Sequence, residues 1–311
     1  MRFFCHLRCK LLSFFSWVMK KETTLSCSSA KVSIALEDLL ASRSPVNCFE
    51  FLFSPLVEII RHELEILVAL LKLQCQLGNL EFLNSILSLN ALSHKLIEDS
   101  SCQCEVSVEP RQTRLRAWLR KFYSTLLAKF TLYWYTVLNN AATSSVELEQ
   151  SLSKENPDIV SKIQDFVHRY EGVYVALFFD AYLQDFAYLG HSYVPPGAAE
   201  KYVKGPIAIP CIFTMPPGSE PNTVPVPDLT VIMRAINSLI PLDASATSRQ
   251  IMPLQDLHLQ KSFLVLKVEA RMYMAIVFPS SLDAENGHFR EFATKITNTI
   301  QLVNLVRSIR N

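Results

Sequence analysis

The segment ENPDIVSKIQDFVHRYEGVYVALFFD, residues 155–180, decides the fold of the second half of the chain. Asn156, Pro157 and Asp158 form a strong helix start, with Asn156 as the N-cap and Pro157 at the first helical position. The apolar residues that follow at helical spacing are Ile159, Val160, Ile163, Phe166, Val167 and Tyr170. The run VYVALFF, 173–179, is apolar throughout and has the length of a strand. The segment therefore predicts a helix that leads directly into a buried strand.

The remaining elements of the second half are separated by loops. The run IAIPCIF, 207–213, predicts a second strand, and its Pro210 indicates an edge position or a bulge. Asp228 is predicted to cap a helix that has one apolar stripe. The runs FLVLKV and MYMAIVF flank residues 269–271 and predict a hairpin, and a closing helix follows Asp283. The predicted order is therefore helix, strand, strand, helix, strand, strand, helix.

The apolar character of the central strands indicates how the sheet is covered. The runs 173–179 and 272–278 are apolar on both faces, which favours a sheet with helices on its two sides. This pattern resembles roadblock and longin modules, in which an antiparallel sheet is sandwiched by helices. The resemblance implies scaffolding, dimerisation and contact with small GTPases, an expectation by analogy of fold alone.

The first half of the chain predicts helices only. Apolar residues at spacings of three and four predict helices over 56–77, 82–96 and 112–139, with a break at Gly78 and a weaker helix over 32–42. Consecutive helices of this kind are expected to pack as an antiparallel helical bundle. The basic residues of the third helix, Arg114, Arg120 and Lys121, are interpreted as a solvated face. The predicted fold class is α+β, a helical bundle followed by a roadblock/longin-like sandwich.

Composition excludes several classes of protein. The chain has 311 residues, with 30 Lys and Arg against 29 Asp and Glu, so its formal net charge is +1. That balance argues against a protein that neutralises many nucleic-acid phosphates. Half of the residues are hydrophobic and 19% are charged, which excludes global disorder. Only seven glycines are present, which disfavours several Gly-rich phosphate loops.

Cysteine usage and the first twenty residues bear on compartment and targeting. Eight cysteines are too sparse for a secreted disulfide scaffold and indicate a reducing compartment. Cys102, Cys104 and His94 form a weak zinc pattern without a fourth ligand, so no metal and no cofactor is predicted. The apolar run 11–19 is too short to span a bilayer; residues 1–30 are interpreted as a signal peptide or as a translation-start artefact. No integral membrane span is predicted.

Catalytic motifs are missing from the sequence. Asp180 ends a predicted strand, where phosphotransferases often keep a nucleophilic carboxylate, but the second acid of that arrangement is absent. We interpret Asp180 as a strand-ending turn residue. The chain has no nucleophile elbow, P-loop, kinase set or zinc-protease helix. We therefore predict that it is not an enzyme; an enzyme that uses Asp180 or the Tyr-rich loop 182–202 remains an alternative.

Four segments resemble one known family. Residues 54–96 resemble the central helical pair of the KICSTOR complex subunit 2 family, and 126–138 are similar to its long helix. Residues 155–180 resemble its helix-to-strand junction, and 278–292 its terminal strand and helix. Residues 1–30 match nothing in that family, whose members carry a further N-terminal helical region, so a truncated gene model or a short form is expected. The expected domains are an extension at 1–30, a bundle at 31–145 and a sandwich at 155–311.

The resemblance implies a non-catalytic scaffold subunit. It would hold the GATOR complex at the lysosomal surface and restrain TOR complex 1 signalling when amino acids or glucose are scarce. Implied partners are kaptin, the FG-GAP repeat subunit and the seizure-threshold subunit, with peripheral membrane association through them. The alternative is an adaptor for a small trafficking GTPase. We expect the junction residues to fix the bundle against the sheet; the structural or interaction candidates are Asn156, Pro157, Asp158, Phe166 and Tyr170.

Overall fold

The fold is taken from a computed structural model, which describes residues 50–101, 110–141, 158–181, 208–217, 223–239, 251–280, 287–303 and 305. The predicted helix over 32–42 and the first thirty residues lie outside these ranges. The chain divides into two compact units, and each draws on separate stretches of sequence. The first unit comprises Met1–Leu77, Asn84–Leu127 and Leu302–Asn311, and the second comprises Gly78–Leu83 and Ala128–Gln301. The predicted α+β class is confirmed.

Three long helices account for most of the described residues of the first unit. They are α1 (Glu50–Gly78), α2 (Phe82–Ser101) and α3 (Pro110–Tyr133). Ser88 of α2 donates to the Gln76 side chain of α1 at 2.8 Å, and Lys95 of α2 meets Glu65 of α1 at 3.3 Å. These pairs run in opposite directions along the two helices, so α1 and α2 are antiparallel. The predicted helix break at Gly78 is confirmed.

The third predicted helix is divided in the structure. Instead of one helix over 112–139, α3 ends at Tyr133 and a short helix, α4, covers Tyr135–Ala141. Trp134 lies between them and is fully buried. Its indole packs against Phe82 and Phe130, with ring centroids 5.5 and 4.7 Å away. Helical periodicity alone does not predict this interruption of the helix.

The second unit contains a five-stranded antiparallel sheet. Its strands are β1 (Tyr174–Phe179), β2 (Cys211–Met215), β3 (Ile251–Asp256), β4 (Lys261–Glu269) and β5 (Met272–Pro279). They lie in the order β2-β1-β5-β4-β3. The hairpin of β4 and β5 is confirmed. The strand predicted over 207–213 is an edge strand, as Pro210 indicates, but it begins after Pro210, at Cys211. The sequence-based order is wrong in one respect, because β3 lies in a segment that is predicted to be a loop.

Helices cover both faces of this sheet. They are α5 (Ile159–Arg169), α6 (Val226–Leu239) and α7 (Gly287–Ile300). On one face, Ile232 and Ile236 of α6 share a buried cluster with strand residues such as Val265. On the other face, Phe278 of β5 stacks on Phe289 of α7 with centroids 4.5 Å apart. The strands are therefore buried on both sides, whereas the roadblock/longin assignment stays a prediction.

Candidate interaction site

The predicted junction begins at the N-terminus of α5, and its helix cap is Asp158. The Asp158 carboxylate accepts a hydrogen bond from the Ser161 backbone N–H at 3.2 Å, and Asp158 itself has extended backbone angles. The prediction that Asn156 is the N-cap is therefore wrong by two residues. The positive end of the helix dipole also stabilises a negative carboxylate at the N-cap, which favours Asp158 at this position. Asn156 and Pro157 lie outside the described residues.

Phe166 and Tyr170 meet in an aromatic cluster between α5 and α7. The Phe166 ring stacks on Phe292 with centroids 3.7 Å apart and meets Phe289 edge-on at 5.5 Å. Tyr170 lies 5.1 Å from the Phe289 ring. An edge-to-face contact such as that of Phe166 with Phe289 adds to the burial of apolar surface. The structure thus brings Phe166 and Tyr170 together, while Asp158 serves separately at the helix end.

Gly172 shapes the turn between α5 and β1. Its φ is +73°, in the left-handed region that glycine adopts without strain. A Cβ atom at this position would lie 3.0 Å from Cγ of Pro279. Both the backbone angle and the close approach of Pro279 therefore require glycine, and they fix the direction in which the chain enters the sheet.

Asp180, the residue considered for catalysis, extends the pairing of β1 with β5. Its backbone N–H donates to the Arg271 carbonyl at 2.8 Å, and its own carbonyl accepts from Nε and a terminal nitrogen of Arg271 at 3.0 and 2.8 Å. The Arg271 guanidinium also lies 4.6 Å from the centre of the Phe179 ring. Burial lowers the pKa of Arg271, and the nearby Asp180 partly opposes that effect. These contacts support the interpretation of Asp180 as a strand-ending residue.

A buried cluster of Lys129, Glu269 and Tyr133 lies in the second unit. Lys129 Nζ donates to one Glu269 carboxylate oxygen, and the Tyr133 hydroxyl donates to the other at 3.0 Å. All three side chains are almost completely buried. Burial, and then the adjacent Glu269 carboxylate, raise the pKa of Tyr133 well above its usual range. This cluster is not predicted from the sequence. Its one signal there is Lys129, which lies on the apolar stripe of α3, three residues after Leu126.

A second cluster of the same residue types joins Asp228, Tyr174 and Lys261. Asp228 Oδ2 accepts from the Tyr174 hydroxyl at 2.7 Å and from Lys261 Nζ at 2.6 Å. Asp228 is buried, whereas 36% of the Lys261 side chain is exposed. Burial and the hydrogen bond to Asp228 raise the pKa of Tyr174. Because α6 begins at Val226, Asp228 lies within its first turn, and the prediction that it caps the helix is wrong.

These groups neutralise charge inside the second unit. Each carboxylate holds one cation and one tyrosine hydroxyl, an arrangement that compensates the cost of burying an ion. Burial also raises the pKa of the Cys211 thiol to about 12, so little reactive thiolate forms at neutral pH. No group of three or more His, Cys, Asp or Glu residues in the described part of the chain could hold a metal ion. Cys102 and Cys104 lie outside it.

Comparison with known proteins identifies the family. The family model described as "KICSTOR complex C12orf66 like" matches residues 1–309. The chain belongs to this family. KICSTOR subunit 2 of Xenopus laevis is 25% identical over 266 residues, which cover 80% of this chain and 56% of the relative. KICSTOR subunit 2 of Danio rerio is 22% identical over 316 residues, which cover 96% and 68%. The resemblance inferred from residues 54–96 and 155–180 is therefore confirmed. The family match also covers residues 1–30, contrary to the expectation that they match nothing in the family.

This KICSTOR-family chain matches only part of the length of its relatives. It spans about half of the Xenopus laevis relative and about two thirds of the Danio rerio relative. Among its described helices, none combines the length and the apolar content that crossing a membrane requires. The junction residues Phe166 and Tyr170 are used mainly in internal packing. A subunit of a complex also needs exposed surface through which it binds its partners.

Proposed function

We propose that this chain is a non-catalytic scaffold subunit of a KICSTOR-like complex. The observation that carries the proposal is the family match over residues 1–309, in a family defined by membership of that complex. The interior of the second unit supports it, because its buried acids Glu269 and Asp228 are engaged by lysine and tyrosine side chains. Such pairing compensates the cost of burying a carboxylate and accounts for both acids without a catalytic role.

The finer role follows the family resemblance. The subunit joins kaptin, the FG-GAP repeat subunit and the seizure-threshold subunit, and with them holds the GATOR complex at the lysosomal surface. It reaches the membrane through these partners. The assembly restrains TOR complex 1 when amino acids or glucose are withdrawn. The family match supports membership, and each of these later steps is part of the proposal.

One experiment tests membership and signalling together. The tagged chain is expressed in cells from which the endogenous subunit has been deleted, and captured proteins are identified by mass spectrometry. We expect the three subunits to co-purify, and amino-acid withdrawal to lower TOR complex 1 activity again. The matched control is Lys295→Met, a change at an exposed position of α7 that should behave as the unmodified chain. Capture without the three subunits contradicts membership, and capture without restored signalling contradicts the signalling role alone.

We propose further that the junction residues Asp158, Phe166 and Tyr170 stabilise the second unit by holding α5 on α7. The contacts of Phe166 and Tyr170 with α7 support a structural role for them, and the Asp158 cap supports a rigid helix start. The test is the variant with Asn156→Ala, Pro157→Ala and Phe166→Ser. We expect it to lose binding of the complex; native binding by this variant would show the proposal to be wrong.

The alternative function is an adaptor for a small trafficking GTPase. It is favoured by the antiparallel sheet with helices on both faces, the arrangement on which the roadblock/longin resemblance rests. It predicts capture of a single GTPase that depends on whether GTP or GDP is bound. Capture of the KICSTOR subunits irrespective of nucleotide would argue against it.

A further inference from the structure

One face of α2 exposes apolar side chains to solvent. Leu87 is 59% exposed and Ile97 is 64% exposed, and Ile86 is also exposed. With the exposed residues between them, Asn90, Ala91 and His94, they form what we call the α2 outer face. Their spacing places them on one side of the helix, over about 16 Å of its axis. The opposite side is buried through Ser85, Leu89, Leu92 and Leu96.

The α2 outer face differs from the exposed faces of the other two helices in the first unit. There, the exposed residues of α1 include Arg61 and Lys72, and those of α3 include Arg120 and Lys121. By contrast, residues 82–93 contain no Asp, Glu, Lys or Arg. Single exposed apolar residues are ordinary on protein surfaces, whereas a row of them at helical spacing marks an interaction surface.

The charge of α2 indicates which kind of partner fits. A helix that lies on a membrane surface is rich in Lys and Arg. The whole of α2 carries one lysine, Lys95, against Glu98 and Asp99, and that lysine is engaged by Glu65. The last turn has no basic residue and forms the negative end of the helix dipole. The face therefore favours a protein with apolar residues along its middle and a basic residue at one end.

The size of the α2 outer face argues against a stable homodimer formed through it alone. A standard interface buries roughly 800 Å² on each partner. The four exposed large apolar side chains of α2, Leu83, Ile86, Leu87 and Ile97, provide only part of that area. Such a face contributes instead as one of several contacts in a larger assembly, where linked contacts reinforce one another.

On the basis of the proposed function, we infer that the α2 outer face docks an amphipathic helix of another subunit of the complex. That helix presents apolar residues at spacings of three and four to Leu87 and Ile97, packing at the usual interaxial distance of two helices. It carries no charge along its contact stripe, and a Lys or Arg lies against the last turn of α2.

Photocrosslinking identifies the occupant directly. A photoreactive phenylalanine replaces Leu87 in the full chain, which is co-expressed with the three other proposed subunits, and crosslinked peptides are sequenced by mass spectrometry. We expect one peptide from another subunit with the apolar spacing and basic end described above. Crosslinks to lipid, to a second copy, to residues 1–49 of the same chain, or to no peptide would overturn the inference.

Matched substitutions test how much the α2 outer face contributes to association with the other subunits. Leu87→Ser with Ile97→Ser should weaken association with the purified subunits roughly tenfold, since each position loses an apolar contact. The control is Leu257→Ser, at a leucine in the second unit that is 78% exposed, which should leave association unchanged. Equal association of the double variant and the unmodified chain overturns the inference and leaves the proposed function intact. Failure of the unmodified chain to associate overturns both.

Discussion

The sheet of the second unit and the α2 outer face use apolar residues in opposite ways. In the sheet, strands such as β5 are buried along almost their whole length, and the acids Glu269 and Asp228 face lysine and tyrosine partners. On α2, Leu87 and Ile97 face solvent, and the exposed residues between them, Asn90, Ala91 and His94, include no Asp, Glu, Lys or Arg. Stability and binding are therefore separable in this chain. Substitutions in the buried interior of the second unit should lower stability, and substitutions on the α2 outer face should lower association only.

The largest expected effect is that of Lys129→Met. The substitution leaves the Glu269 carboxylate buried without its cation, and we expect the free energy of unfolding to fall by about 3–5 kcal/mol. Chemical denaturation measures it. Lys295→Met, at an exposed position of α7, should change stability by within about 0.5 kcal/mol. Adding Glu269→Gln to Lys129→Met should recover most of the loss, because a neutral amide still accepts from Tyr133. No recovery would mean that the charge of Glu269 is not the cause.

How far the sequence predicts this structure depends on the range of the interaction. The helix and strand of 155–180 could be predicted, because capping and periodicity act between near neighbours. The strand β3 could not, since it contains Pro253 and, as an edge strand, has no fully buried residue. The contact of Lys129 with Glu269 joins residues 140 positions apart. Periodicity shows that Lys129 lies on an apolar stripe, but nothing local identifies its partner.

The second largest effect is expected for Phe166→Ala, which removes the ring that stacks on Phe292. Truncation of a buried phenylalanine leaves a cavity, and we expect a loss of about 3 kcal/mol in the free energy of unfolding. Thermal unfolding measures the change. Phe166→Leu is the matched control and should lose much less, since it fills most of the volume. Equal losses for the two variants would show that ring stacking, rather than volume, holds α5 on α7.

A smaller, pH-dependent effect is expected for Tyr133→Phe. Near neutral pH, loss of the hydrogen bond to the buried Glu269 carboxylate should cost about 2 kcal/mol. The pKa of Tyr133 is raised in the folded state, so the folded chain retains a proton that the unfolded chain releases near the ordinary tyrosine pKa of 10.0. The stability linked to this proton is therefore complete below about pH 10 and is lost as the pH rises further. Denaturation measured between about pH 9 and pH 11 should show a shallower decline for the variant; parallel curves would contradict the raised pKa.

Lys261→Met should have an effect of about 1 kcal/mol, because the partly exposed ammonium is screened by solvent and Asp228 keeps the hydrogen bond from Tyr174. The response to high salt distinguishes this cluster from the buried cluster of Lys129, Glu269 and Tyr133. Added salt should reduce the difference between the unmodified chain and Lys261→Met, and should leave the effect of Lys129→Met almost unchanged. Equal sensitivity to salt would show that the two clusters are equally accessible to solvent.

The smallest effect on stability is expected on the α2 outer face. Leu87→Ser and Ile97→Ser remove side chains that are mostly in solvent, so each should change the free energy of unfolding by within about 0.5 kcal/mol. Leu92→Ser, on the buried side of the same helix, is the matched contrast and should destabilise the chain strongly. Chemical denaturation of the three variants decides the point. If Leu87→Ser were as damaging as Leu92→Ser, the α2 outer face would be covered within the chain itself, and its apolar residues would need no partner to explain them.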